Sequence, residues 1–289
     1  MDTFATPPNP LPSSTFSTHP LQMSGMHGIW YRFYYGTLPM ADRVWRSEWG
    51  SFGLKLLSFS AQPLTFYWTF SLGLRPYLET VDGQPYWAFL FPALVANSIW
   101  NEAFSQGAWG MWLDRWHQGL VNEYRIKPIH DGWLLFGDLL GGSSIAIVKG
   151  LVVFTALLFI SHSPWLGWKS LLGWLGFMVP GALLFNTLGT ISGLFAPKPD
   201  YLSRLLTLVI TPLLYLGGLF FPVENYPNAL GKLFQWLPST WLFAHLRQGY
   251  QASTTHPSIT AWEYALPWLI VGLLWLWSIR LYQKSCSQS

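Results

Sequence analysis

Charged residues are scarce in this sequence, and that scarcity is its first informative feature. Only 10% of the 289 residues are Asp, Glu, Lys or Arg, whereas soluble domains carry about 25%. Hydrophobic residues make up 51% of the chain, and its mean hydropathy is +0.27. No polar block is long enough to build a soluble domain, so the composition excludes an ordinary soluble enzyme. The net charge of +3 gives no reason to expect nucleic acid as a partner.

Cysteine and known catalytic motifs are also missing. The single cysteine, Cys286, excludes an internal disulfide framework. The histidines lack metal-ligand spacing, and there is no G-x-S-x-G nucleophile elbow. No G-x-x-x-x-G-K-[ST] occurs either, so the sequence contains no phosphate-binding loop for ATP. We therefore predict no metal site, no catalytic residue and no cofactor bound by this chain.

Residues 1–25 are rich in Pro, Ser and Thr and contain no Lys or Arg. A secretory signal needs a basic start and an apolar core, and neither is present. The composition predicts a disordered cytosolic tail, followed by a membrane domain over residues 26–289.

Long apolar stretches predict an all-α integral membrane protein. About 20 apolar residues cross a bilayer as a helix. Six stretches qualify as transmembrane helices: residues 53–74, 86–109, 133–160, 171–195, 202–221 and 264–281. The second is the least hydrophobic, because it contains Asn97, Asn101, Glu102 and Gln106.

The positions of Lys and Arg predict the orientation of these spans. With both termini in the cytoplasm, eleven of the sixteen Lys and Arg lie inside, four lie outside, and Lys149 falls within a span. The reverse orientation would contradict the usual excess of positive charge in the cytoplasm.

Residues 39–50 precede the first span and mix apolar with charged side chains. Val44, Trp45 and Trp49 share one helical face, which favours a helix lying in the membrane interface. An ordinary juxtamembrane segment would show the same pattern.

Residues 208–238 form an irregular stretch at membrane depth. Pro212 is expected to interrupt the fifth span, Gly217 and Gly218 weaken it, and Pro222 ends it. Pro238 then ends a short amphipathic piece. Irregular backbone persists in a membrane only where protein or a water-filled cavity satisfies its polar groups. The stretch therefore indicates a lined pathway or gate.

Two charged residues are predicted inside spans, and such residues are candidates for function. Glu102 lies toward the cytoplasmic end of span two, and Lys149 lies near the middle of span three. Two hypotheses stay open: a structural ion pair between neighbouring helices, or a role in a substrate pathway. Their estimated depths differ by several ångströms, so direct contact is an open question.

Residues 112–131 form a charged segment between spans two and three. An amphipathic helix held outside the membrane is suited to dock on a soluble partner. The alternative is a basic loop that only sets topology. The segment also offers acidic and histidine side chains to a membrane-bound transferase, although without a recognised catalytic spacing: Asp114, His117, Glu123, His130 and Asp131.

The irregular stretch resembles the permease subunits of type-2 ABC exporters. Their fifth helix typically ends in T-P-x-x-x-x-x-G-x-x-F-P, matched here by Thr211, Pro212, Gly218, Phe221 and Pro222. A Leu-Pro and an Arg follow in the family, and Leu237, Pro238 and Arg247 match them. The resemblance covers about residues 43–284, and within the family it looks most like the nodulation-type permeases that export lipo-oligosaccharides.

The resemblance implies that residues 112–131 contain the coupling helix that contacts a separate ATPase, which would hold ATP and Mg²⁺. The family places a Gly, an acidic residue and a Pro there. The implied coupling residues are Gly119, Glu123, Tyr124, Arg125, Lys127 and Pro128. It also implies an N-terminal interfacial helix and short re-entrant helices between spans five and six. The implied outer gate comprises Pro212, Gly217, Gly218, Phe221, Pro222 and Pro238.

The function that the resemblance implies is ATP-driven export of an amphipathic substrate across the inner membrane by a permease homodimer. A lipo-oligosaccharide or another lipid-linked saccharide is the expected cargo. A polysaccharide or a hydrophobic drug is the alternative within the same framework. An integral membrane transferase and a non-transporting assembly subunit are the alternatives from other classes.

Overall fold

The computed structural model describes residues 33–73, 80–81, 84–117, 130–161, 167–251 and 260–287. Two-residue strands β1 (Thr80–Val81) and β2 (Gln84–Pro85) pair antiparallel, with Thr80 opposite Pro85. Everything else of regular structure in the described part is helical. In chain order the helices are α1 (Leu38–Trp49), α2 (Phe52–Gly73), α3 (Tyr86–Trp112), α4 (Asp131–Ser161), α5 (Trp168–Phe195), α6 (Pro199–Leu219), α7 (Asn228–Gln235), α8 (Pro238–Gln251) and α9 (Ala261–Ser287).

The core lies between α3 and α5, which pack along most of their length. Glycines make this close approach possible, because a methyl group on Gly107 or Gly189 would overlap the backbone of the other helix. Small residues have this role at many helix contacts in membranes. The indole N–H groups of the fully buried Trp100 and Trp174 donate to backbone carbonyls across the same interface. Helix α3, the predicted second span, is therefore largely enclosed by protein.

Four helices in the described ranges are long and apolar enough to cross a membrane: α4, α5, α6 and α9. The chain is thus an all-α membrane protein apart from the short hairpin. α2 and α3 contain 22 and 27 residues, or about 33 and 40 Å of helix. Both carry too many polar side chains to meet the same hydropathy criterion, so the count of six spans stays a prediction.

Helix α6 corrects the expected effect of Pro212. The helix continues through this proline, because π-helical turns at Leu206–Ile210 and Tyr215–Leu219 lie on either side of it. A π turn holds an extra residue and accommodates a local disruption of the hydrogen-bond ladder. The real break is at Gly218, whose φ of 93° lies in the left-handed region that glycine adopts without steric cost.

Helix α1 packs on α4 rather than standing apart from the bundle. Gly137 and Gly141 of α4 leave room for it: a methyl group on Gly141 would lie 3.0 Å from Val44 Cβ. The indole of Trp45 donates a hydrogen bond of 2.9 Å to Ser144 Oγ. Trp49 is exposed. Of the three residues predicted on one interfacial face, two therefore contact α4.

Candidate functional site

Lys149 of α4 bridges carboxylates from two other helices. Its Nζ atom lies 2.5 Å from Glu102 Oε1 of α3 and 2.9 Å from Glu48 Oε2 of α1. The Lys149 side chain is only 3% exposed. The structure thus brings the two predicted intramembrane charges together and adds Glu48 as a third member. We call Glu48, Glu102 and Lys149 the charge triad.

Further ion pairs attach α1 to the bundle around this triad. Glu48 also accepts from Lys55 of α2 at 2.6 Å. Burial would raise the pKa of Glu48, but hydrogen bonds from Lys55 and Lys149 outweigh it and lower that pKa below its ordinary value. Arg43 of α1 holds Asp114 through two hydrogen bonds, of 2.5 and 2.7 Å. Such bidentate Arg–carboxylate pairs are the geometrically specific ones.

These groups surround a cleft of about 770 Å³ between α1, α2, α3 and α4. The charge triad lines it together with Asp138 of α4. Apolar side chains such as Leu54 and Phe59 of α2 complete its wall. The cleft is thus part charged and part apolar.

Arg247 of α8 completes the break at Gly218. Its guanidinium donates to the carbonyl oxygens of Gly218 and Leu219 at 2.6 and 2.9 Å, and to that of Phe89 at 3.1 Å. It also lies over the Phe89 ring, 3.7 Å from the centroid. The backbone carbonyls at the break are thereby satisfied by protein, and Arg247 is buried instead of belonging to an outer loop.

The other predicted gate residues are arranged around the same break. A methyl group on Gly217 would overlap Ser239, whose hydroxyl donates to the Leu213 carbonyl at 2.8 Å. The Phe221 ring stacks on Tyr86 with centroids 6.4 Å apart. Pro222 is buried and precedes a 3₁₀ turn at Val223–Asn225, and Pro238 begins α8. A smaller cavity of about 320 Å³ lies beside Gly218, Pro222 and Arg247.

Polar residues also follow one face of α2 and one face of α6, and most of them are exposed, whereas Thr211 and Tyr215 are half-buried. We call this set the polar stripe, and it contains Ser58, Gln62, Thr65 and Thr69 of α2 with Ser203, Thr207, Thr211 and Tyr215 of α6. The two helices meet where Gln62 Nε2 donates to the Tyr215 hydroxyl at 2.6 Å. Serine and threonine hydroxyls can bond to their own helix, as Ser58 does to Leu54. The Gln62 carboxamide bonds instead to another helix of the same chain.

The predicted coupling residues lie outside the described residues, because these omit 118–129. The predicted tail over 1–25 lies outside them too. Of the transferase candidates, Asp114 is occupied by Arg43, and His130 Nδ1 accepts a hydrogen bond from the backbone of Gly132 at 3.1 Å. In the part of the chain that the structure describes, no group of His, Cys, Asp and Glu could hold a metal ion.

Glu48, Arg43 and Asp138 belong to the cleft but were missed as site residues. Glu48 and Arg43 were assigned to an interfacial helix, where charges ordinarily face water. The available signal was Lys149: a buried ammonium with three donors needs more than one acceptor, so a second carboxylate was to be expected nearby.

Comparison with known proteins agrees with this architecture. The sequence profile described as ABC-2 type transporter matches residues 40–250. Nodulation protein J of Rhizobium leguminosarum bv. trifolii is 30% identical, over 68% of this chain and 75% of that protein. Nodulation protein J of Rhizobium meliloti is 28% identical, with the same coverage.

A third relative is the inner membrane transport permease YadH of Escherichia coli K12. It is 25% identical, over 69% of this chain and 76% of that protein. These matches confirm the resemblance to type-2 ABC permeases and to the nodulation-type group. The chain belongs to the ABC-2 type transporter family.

Proposed function

We propose that this protein is the permease of an ATP-driven exporter and that two copies enclose the path of an amphipathic substrate. The observation that carries the proposal is the polar stripe on α2 and α6. Exposed polar side chains along a membrane helix normally face protein or a water-filled cavity rather than lipid. A second copy packed against this face would supply both the protein surface and the wall of a water-filled cavity.

The break at Gly218 supports the proposal from the other end of α6. It lies where the polar stripe ends, and α7 and α8 follow it directly. One face of α8 is buried against α5, where the backbones of Gly173 and Gly249 touch. We propose that α7 and α8 are the re-entrant helices and that the Gly218–Arg247 contact is the outer gate.

The proposed topology has six spans, namely α2, α3, α4, α5, α6 and α9, with both termini in the cytoplasm. Exposed tryptophans support this frame: Trp168, Trp236 and Trp262 all lie at the end of the bundle proposed to face outward. Tryptophans concentrate at the membrane–water interface. The YadH relative is described as an inner membrane protein, and we propose the same membrane here.

Membership in the ABC-2 family implies an ABC ATPase as partner. We propose that this is a separate chain that carries ATP and Mg²⁺, and that it contacts Gly119, Glu123, Tyr124, Arg125, Lys127 and Pro128. Closure of the ATPase would push residues 112–131 and reorient the spans. No residue of the permease would perform covalent chemistry. The tail over 1–25 would lie in the cytosol, outside the membrane domain.

The proposed cargo is a lipo-oligosaccharide or a similar lipid-linked saccharide. The support comes from relatives named as nodulation proteins and from the part-charged, part-apolar cleft. An amphipathic cargo needs both kinds of surface along its route.

A crosslinking experiment tests the arrangement of the two copies. Thr65→Cys and, as control, Leu273→Cys would each be made in a Cys286→Ser background. Leu273 is exposed like Thr65 but lies on the apolar α9. We expect a disulfide-linked dimer for Thr65→Cys and none for Leu273→Cys. Dimers at Leu273 alone would contradict the arrangement.

A transport experiment tests the function itself. The protein would be purified to identify a co-purifying ATPase, and both would be reconstituted into vesicles with a fluorescent glycolipid. We expect ATP-dependent transfer of the glycolipid between leaflets. A lone permease with no ATPase partner, or transfer independent of ATP, would contradict the proposed function.

A further inference from the structure

Asp138 is the unusual residue of the cleft between α1, α2, α3 and α4. Its side chain is 4% exposed, and its Oδ2 atom has no hydrogen-bond partner among the described residues. Asp138 lines the cleft, and Gly110 lies opposite, so close that a methyl group there would be 3.7 Å from Asp138 Oδ1. The glycine therefore leaves the space beside this carboxyl group open.

The other carboxylates of the cleft are already occupied. Asp114 receives two hydrogen bonds from Arg43, and Glu48 and Glu102 both receive one from Lys149. The charged groups that act on Asp138 are Asp114, which repels it, and Arg43, which attracts it. Leaving a buried acceptor without a hydrogen bond is costly, so native sites of this kind usually await a partner.

We propose that this cleft is the loading site for the polar head of the exported molecule and that Asp138 accepts a hydrogen bond from it. The proposal rests on the proposed function, because it assigns a position to the cargo of that permease. The ligand class is an amphipath whose head group donates hydrogen bonds, as a sugar hydroxyl does.

The composition of the cleft fits such a ligand. The side chains of Asp138 and Gln106 can each hydrogen-bond to a hydroxyl group of the ligand. The exposed part of Trp109 offers an aromatic surface to a sugar ring. Leu54 and Phe59 line the wall formed by α2 and would contact the apolar part of the ligand. The volume of about 770 Å³ lies within the range of small-molecule sites.

Cysteine protection tests the proposal without any need for transport. The reporter is Ser47→Cys in a Cys286→Ser background, because Ser47 is exposed and lines the cleft. The matched control reporter is Gln283→Cys, which is exposed on α9 outside both the cleft and the polar stripe. The protein would be placed in phosphatidylcholine nanodiscs and labelled with a maleimide. The probe is dodecyl maltoside, and dodecyltrimethylammonium, whose head group has no hydrogen-bond donor, is its counterpart.

We expect dodecyl maltoside to slow labelling at position 47 but not at position 283. Asp138→Asn should raise the concentration needed for half protection roughly tenfold, the effect of one hydrogen bond to a charged group. Gly110→Leu, which fills the space beside an intact Asp138, should also weaken protection. It replaces Asp138→Asn in the test if that variant does not fold.

Three outcomes would overturn the proposal: no protection by dodecyl maltoside, protection unchanged in both variants, or equal protection by dodecyltrimethylammonium. None of them depends on the ATPase. If ATP-dependent transfer is observed and protection is not, the loading site is wrong and the proposed function stands. If protection is observed without ATP-dependent transfer, the cleft binds an amphipath and the export function is wrong.

Discussion

Arg247 of α8 and Gly218 of α6 are joined by a hydrogen bond of 2.6 Å from the guanidinium to the carbonyl oxygen. This contact lies at the point where α6 leaves helical geometry. It allows a membrane helix to end within the protein without leaving its carbonyls unpaired. Movement of α8 away from α6 would expose those carbonyls, so the two elements are expected to move together.

Replacing Arg247 should destabilise the end of the bundle at which α6 breaks. In Arg247→Met the carbonyls of Gly218, Leu219 and Phe89 lose their donor, and we expect a loss of about 2–4 kcal/mol in unfolding free energy. Thermal unfolding in nanodiscs measures it. Lys232→Met, on the exposed side of α7, is the control and should change little. Equal stability of the two variants would show that the guanidinium is not needed at the break.

Glycine replacements should distinguish close packing from ordinary helix positions. Gly217→Ala forces a methyl group into Ser239, so we expect a loss of about 1–3 kcal/mol. Gly272→Ala in α9 meets nothing within 4 Å and should be neutral or slightly stabilising. The same thermal unfolding measurement compares them. A neutral Gly217→Ala variant would mean that α8 is not held against α6 as described.

The charge triad should respond differently to partial and complete neutralisation. Lys149→Met leaves Glu48 and Glu102 facing each other without their common cation, and we expect a loss of about 3 kcal/mol. A triple variant that adds Glu48→Gln and Glu102→Gln removes the uncompensated charge and should recover most of that loss. If the triple variant is as unstable as Lys149→Met, the effect is not electrostatic.

Transport by the same variants decides between the two hypotheses for the intramembrane charges. Export would be measured for Glu102→Gln, Lys149→Met and the double variant, each normalised to the amount of folded protein. A pathway role predicts reduced export beyond the loss of folded protein. Near-normal export in all three variants would reject the pathway role and support a purely structural ion pair.

The predicted coupling residues can be tested by mutation without reference to the helix contacts described above. Glu123→Ala should uncouple the permease from its ATPase, so that ATP hydrolysis no longer drives transfer, while the protein still folds. Asp131→Asn, at the first position of α4, is the control and should retain coupling. ATPase activity and glycolipid transfer are measured side by side. Normal coupling in Glu123→Ala would place the contact elsewhere in the chain.

The apolar helices were predictable because hydropathy is a local property of the sequence. The helices contain the predicted apolar stretches closely: residues 171–195, for example, fall within α5, Trp168–Phe195. The contact between Glu102 and Lys149 depended on the depth and rotation of two helices, which span limits alone do not determine. The structure shows that the two side chains meet, with Lys149 Nζ 2.5 Å from Glu102 Oε1.

The role of Glu48 and the course of α6 were not predictable in the same way. Glu48 approaches Lys149 only because Gly137 and Gly141 let α1 pack closely on α4, and that is a tertiary effect. Pro212 is expected to interrupt α6, but the helix continues through it after the π turn at Leu206–Ile210, and the break falls at Gly218 instead. Propensity rules describe the isolated helix, whereas neighbouring elements select which irregular turn is formed.

The π turns of α6 give this helix a spare residue on each side of Pro212. When a π turn migrates along a helix, the residues between its old and new positions rotate by about 100°, the angle that one residue occupies in an α-helix. No backbone break is required for such a rotation. We expect such a shift in α6 to turn Thr211 and Tyr215 toward or away from the neighbouring helix while both ends of the segment stay in place.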